Sequence, residues 1–121
     1  MNHLEQLVAE WHEYRGCFVR RNIQVGPLNG GYECELDVVA FHPGQQHLVH
    51  IEPSMDAHSW ARSELRYSKK FKAGRQYIPA LFEGVSLPQE IEQIALLGFA
   101  SNVNVKTLAG GRVMTTSELF S

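Results

Sequence analysis

Between residues 3 and 15, Leu4, Leu7, Val8, Trp11 and Tyr14 recur at the i, i+3, i+4, i+7 spacing that makes one apolar helix face. Asn2 and Glu5 have the spacing of a capping box, and Gly16 is placed to end the helix in a left-handed turn. The period then falls to two. Cys17 to Val25 reads as a strand, and Pro27-Leu-Asn-Gly-Gly31 as a turn or loop. From Glu33 to Phe41, the acids Glu33, Glu35 and Asp37 alternate with Cys34, Leu36, Val38 and Ala40. Pro43 to Gln46 then connects to a return strand, His47 to Ser54. After Ser54 a helical period resumes, with Ser59 as a cap, a helix over Trp60 to Ala73 and Gly74 closing it. Arg75 to Phe82 is read as a further helical stretch interrupted by Pro79. Glu92 to Ala100 is expected as a buried strand, Gly110 to Thr115 as a weaker one, and Thr116 or Ser117 as the start of a terminal helix. There is no repeat, low-complexity tract or linker, so residues 1–121 are expected to form one α/β domain with a mixed sheet.

The hairpin places two acids together. With Pro43 to Gln46 as the connection, Phe41 faces Leu48, Val39 faces His50, Asp37 faces Glu52 and Glu35 faces Ser54, all on one face. Cβ atoms at opposed positions lie roughly 4.5–5.5 Å apart, where like charges destabilise the pair. A shared proton, a nearby Lys or Arg, or a divalent cation could supply the compensating charge. Two carboxylates at this separation suit Mg²⁺. Val39, Phe41 and Leu48 share the acids' face and would partly cover it, and neither strand carries a basic residue. Glu10, on the flank of the first helix's apolar face, either points to water or reaches the edge of this site. His50 is expected to be a polar neighbour of the acids.

Composition narrows the classes. With 44% hydrophobic and 20% charged residues the chain is an ordinary globule. Its longest apolar run, Ile94 to Ala100, is too short to span a bilayer, and Glu5, Glu10 and Glu13 interrupt what would be an export signal, so a cytoplasmic location is expected. Cys17 and Cys34 stand apart and read as small buried hydrophobes, and no HxH or HExxH pair supports a zinc hydrolase. The net charge of −2 excludes nucleic-acid binding through bulk charge, but the charges are segregated. Residues 22–61 contain no Lys or Arg, whereas Arg62, Arg66, Lys69, Lys70, Lys72 and Arg75 crowd the following helix. Such a pattern suits a site that holds a cation beside a polyanion. Within it Arg62, Arg66 and Lys69 form an i, i+4, i+7 stripe that either tracks phosphates or is a solvated face opposite Trp60, Leu65 and Phe71.

Gly31-Tyr-Glu-Cys-Glu-Leu-Asp37, then His50-Ile-Glu-Pro-Ser54, then a basic helix, all preceded by a helix and a strand, resemble the core of the PD-(D/E)xK nuclease superfamily over roughly residues 5–100. The resemblance implies a restriction-endonuclease-like αβββαβ core with a mixed central sheet flanked by helices. It implies Asp37 and Glu52 as metal ligands, with the Pro53 carbonyl as a further ligand and Glu10 as the helix acid found in some members. Mg²⁺ or Mn²⁺ would be the cofactor and DNA phosphodiester hydrolysis the reaction, with Arg62, Arg66 and Lys69 on the nucleic acid. Ser54 stands where the family has its motif Lys, so a lysine of the following helix, Lys69 or Lys70, has to reach back to complete the catalytic set. A homodimer is expected, because cutting both strands of a duplex takes two sites. The alternatives are a catalytically inactive module of the same fold that binds nucleic acid or a protein partner, and a structural protein with no nucleic-acid role.

Overall fold

The computed structural model describes residues 3–55, 60–98 and 105–120. Six strands form one mixed sheet, flanked by helices. In chain order the elements are α1 (His3–Tyr14), β1 (Phe18–Leu28), β2 (Gly31–His42), β3 (His47–Ser54), α2 (Trp60–Tyr77), a 3₁₀ turn (Ile78–Ala80), β4 (Glu92–Leu97), β5 (Thr107–Leu108), β6 (Gly111–Thr115) and α3 (Thr116–Phe120). The sheet order is β1-β2-β3-β4-β6-β5. β1, β2 and β3 run antiparallel, β3, β4 and β6 run parallel, and β5 pairs antiparallel with β6.

The core lies on both faces of the sheet. Leu4 and Val8 of α1 pack with Val38, Val49, Ile51, Ile94, Leu96 and Met114, and Leu119 and Phe120 of α3 close that layer. On the other face, Ala73 and Ile78 pack with Val39, Phe41 and Leu48, while Tyr67 and Phe71 of α2 pack with Ala95, Leu97 and Val113. Covered on both sides, β4 needs no polar face, which is why Ile94-Ala-Leu-Leu97 is continuously apolar.

The β2–β3 register is the expected one from Phe41–Leu48 through Val39–His50 to Val38–Ile51, but the ladder stops there, and the expected pairs Asp37–Glu52 and Glu35–Ser54 are not part of it. Gly16 ends α1 at φ +95°, its N–H on the Glu13 carbonyl. Several expectations are corrected. Of the turn or loop expected over Pro27-Leu-Asn-Gly-Gly31 the structure has the turn, confined to residues 29–30: β1 runs to Leu28 and pairs directly with Gly31, and Gly30 turns the corner at φ +79°. Pro27 is tolerated there because β1 is an edge strand. The buried side of α1 is Leu4, Glu5, Val8, Ala9 and His12, whereas Leu7 and Tyr14 are exposed. At about 100° per residue the face is rotated by about a quarter turn from the aromatic stripe. Gly74 does not close α2, which continues to Tyr77 before the 3₁₀ turn at Pro79. Leu65 is exposed rather than core, while Phe71 is buried. Cys17 and Cys34 are free and half-buried. α3 begins with a reciprocal Thr115–Glu118 capping box, and the two-residue β5 was not anticipated. Asn2, Ser59, the Trp60 side chain and residues 99 and 100 lie outside the described residues.

Candidate functional site

The site forms where β2 parts from β3. Their pairing ends at Val38–Ile51, although β2 extends back to Gly31 and β3 on to Ser54. Beyond that point β3 stays paired with β4 alone, and Pro53, which cannot donate to a ladder, falls in this stretch without a β2 partner. The alternation of β2 also slips here. Leu36 and Val39 enter the same cluster beneath α2, while Val38 enters the one beneath α1. Opposite the slip, Asn22 of β1 takes φ +50°, and the β1–β2 ladder omits the Asn22–Asp37 pair while keeping its register on either side. Asn tolerates this left-handed geometry better than most residues. As a result Glu35 and Asp37 do not share a face as expected. The Glu35 carboxylate and that of Glu5 are bridged by Asn22 Nδ2 at 3.0 and 3.3 Å, while Asp37 turns to α2.

Four side chains meet at the parting. Glu52 Oε2 accepts the Asp37 backbone N–H at 2.8 Å and lies 2.8 Å from His50 Nε2. Lys70, reaching from α2, places Nζ 3.3 Å from Glu52 Oε1 and 3.6 Å from Asp37 Oδ1, and donates to the Glu35 carbonyl. Asp37, Glu52 and His50 are buried, and the Lys70 side chain is 19% exposed. Tyr67 donates its hydroxyl to the Glu52 carbonyl at 3.2 Å and so holds β3 against α2. Burial pushes that hydroxyl up to about 12.

The two carboxyls are driven apart in acidity. Burial raises Asp37 from 3.8 to about 8, with the adjacent Glu52 charge adding to the rise and Lys70 opposing it. For Glu52 burial also acts upward, but His50, Lys70 and the Asp37 N–H outweigh it and hold the group below the ordinary carboxylate range. Burial disfavours the Lys70 ammonium, yet Glu52 and Asp37 keep its pKa above the usual lysine value. At neutral pH the cluster is therefore a carboxylate, a carboxylic acid and an ammonium, the usual outcome for two acids that cannot both ionise in one small space.

The residues expected at the site are only partly brought together. Asp37, Glu52 and Lys70 converge. Ser54 is buried on the same strand and takes a hydrogen bond from Arg66 Nη1 at 3.4 Å, so it lies against α2. Arg62 and Lys69 are exposed on that helix. Glu10 is away from the cluster, exposed and hydrogen-bonded to Gln6 at 3.2 Å. The helix acid that acts on Asp37 is Glu5, which is buried and adds to the rise in the Asp37 pKa. An acid one residue from Leu4 and three from Val8 carried that signal, but the aromatic stripe hid it. Gln93 and Arg75, which hold His50 from behind, carried no recognisable motif.

Among the described residues no group of three or more His, Cys, Asp or Glu side chains is arranged to hold a metal ion. A Mg²⁺-type cation needs fewer, since it takes one or two carboxylates and keeps several waters. Asp37 Oδ1 and Glu52 Oε1, the two oxygens already facing one positive charge, fit that demand. No protein-family model, no curated protein and no solved structure matches this chain.

Proposed function

We propose that this protein is a divalent-metal-dependent nuclease of the PD-(D/E)xK type, hydrolysing phosphodiester bonds in DNA. The observation that carries the reading is the Lys70 ammonium between Glu52 Oε1 and Asp37 Oδ1. It supplies from α2 the positive charge that the strand lacks at Ser54. The order of elements, with β3 and β4 parallel around α2, accords with the restriction-endonuclease-like core that the family resemblance implies.

In this reading Asp37, Glu52 and the Pro53 carbonyl would hold Mg²⁺ or Mn²⁺, which when bound would supply water activation and neutralise charge on the phosphate. Lys70 orients the attacking water and stabilises the negative charge that develops on the phosphoryl oxygens. Arg66, pinned on Ser54, adds a second positive charge at the mouth of the site, and Arg62 and Lys69 take flanking phosphates. Glu5 and Asn22 complete the wall behind Asp37. Lys70 at the two acids favours an enzyme over an inactive module of the same fold, because it restores from α2 the charge that the motif lacks at Ser54.

The test is incubation of plasmid and branched DNA with Mg²⁺ or Mn²⁺, using wild type, Asp37→Ala and Lys70→Met. Cleavage is expected in wild type and lost in Asp37→Ala. Lys70→Met should cut about 100-fold more slowly while still binding the cation. Cleavage at the wild-type rate by Lys70→Met, or cation binding unaffected by Asp37→Ala, would overturn the assignment.

A further inference from the structure

Behind Glu52 lies a chain of hydrogen bonds, buried from Gln93 inward, that the proposed chemistry does not use. Arg75 Nη1 donates to Gln93 Oε1 at 3.0 Å. The Gln93 amide nitrogen, 8% exposed as a residue, donates to the Phe71 carbonyl at 2.8 Å and meets His50 Nδ1 at 3.1 Å. This amide cannot be turned over, because its nitrogen would then face a guanidinium and its oxygen a carbonyl. The orientation fixes the imidazole as well. Nδ1 accepts from Gln93, so the ring proton sits on Nε2 and is donated to Glu52 Oε2 at 2.8 Å. Glu52 Oε2 thus receives two donors, His50 Nε2–H and the Asp37 N–H. Oε1 receives neither and faces Lys70.

We propose that His50 is a positioning residue that commits one oxygen of Glu52 to the fold and leaves the other for the cation, and so biases the site toward Mg²⁺ over Ca²⁺. This rests on the metal-site reading above and goes beyond it by assigning a determinant of cation choice. Ca²⁺ gains from carboxylates that can offer both oxygens and from a flexible shell of six to eight ligands, whereas Mg²⁺ is content with single oxygens and retained water. A carboxylate with one oxygen occupied by two hydrogen bonds serves the second cation better. The backbone of α2 lies directly over this relay: a Cβ at Gly74 would stand 2.4 Å from His50 Nδ1 and 3.0 Å from Gln93 Nε2. The imidazole therefore has no room to swing away and release Glu52.

Titration calorimetry of Mg²⁺ and of Ca²⁺ into wild type, Asp37→Ala, His50→Leu and His50→Gln tests this. His50→Leu should shift the ratio of the two affinities toward Ca²⁺ by about tenfold or more, the range for loss of a partner that orients a metal ligand. His50→Gln, which can still donate to Glu52, should restore most of the wild-type ratio. A folded His50→Leu protein with an unchanged ratio overturns the role of His50 while leaving the metal site standing. Cation uptake that is absent, or equal in wild type and Asp37→Ala, overturns the metal site and this proposal with it. Should His50→Leu not fold, ¹⁵N resonances of the His50 ring in wild type decide. The Nε2–H tautomer is expected both without and with saturating Mg²⁺, and its loss on adding Mg²⁺ overturns the proposal.

Discussion

Asp37 shows what a single buried acid does to the stability profile. Its pKa is about 8 in the folded protein against 3.8 for the ordinary side chain, so between these values the folded state keeps a proton that the unfolded state releases. The stabilisation from that proton is complete below about pH 3.8 and is lost as pH rises through about 8. Asparagine has nothing to release. Asp37→Asn should match wild type near pH 4 and exceed it increasingly above, by about 1–3 kcal/mol at pH 9, as for other buried charges replaced by neutral groups. Urea unfolding at the two pH values measures the difference, and a gap that shrinks with rising pH would contradict it. The same proton opposes a cation. If the proposed metal site holds, divalent-metal affinity in wild type should climb about tenfold per pH unit toward pH 8 and then level off, because ligation requires the ionised carboxyl.

Helix α2 presses its backbone onto the site, and Gly74 is where it does so. Alanine there gains up to about 1 kcal/mol of helix propensity. Its methyl, however, would sit 2.4 Å from His50 Nδ1, and the resulting overpacking and broken buried hydrogen bond cost about 2–4 kcal/mol. Gly74→Ala should therefore be destabilised by about 2 kcal/mol in urea unfolding; a stabilised variant would mean that α2 stands further from β3. In the sequence Gly74 looked like a helix terminator, because a glycine after an amphipathic stretch reads the same whether it ends a helix or lets one approach a neighbour. The hairpin was legible for the opposite reason. Its register follows from the connection Pro43 to Gln46 and from period two alone, and Phe41–Leu48 and Val39–His50 pair as that arithmetic requires. The slip at Asp37 was not legible, since both Leu36 and Val38 are apolar and only their three-dimensional partners separate the two faces. Nor was the rotation of α1. Leu7 and Tyr14 advertised a face by hydrophobicity, but Glu5 and His12 are the residues that turn inward, where Asn22 and the Val8 carbonyl satisfy them.

At the scale of the molecule, the sheet changes from antiparallel to parallel pairing at β3, and the acids lie where β2 leaves that strand. Backbone and side-chain groups that would otherwise be used in a ladder are released there, which is the physical reason ligand sites gather where strands part. The fold also separates two electrostatic tasks. The strands concentrate negative charge around Asp37 and Glu52, and α2 carries the positive charge, Lys70 inward and Arg62 and Lys69 outward. With a net charge of only −2, overall charge gives the protein no affinity for DNA, and α2 carries the densest run of basic residues in the chain. Each phosphate neutralised by a side chain contributes about −0.9 to the slope of log affinity against log salt on duplex DNA. Changing Arg62 and Lys69 together to Gln should flatten that slope by about 2. Lys70→Met, with its side chain held inward on the acids, should leave the slope nearly as it is. A slope that responds to Lys70 but not to Arg62 and Lys69 would mean that the outward face of α2 is solvated surface and that DNA reaches the acids from another side.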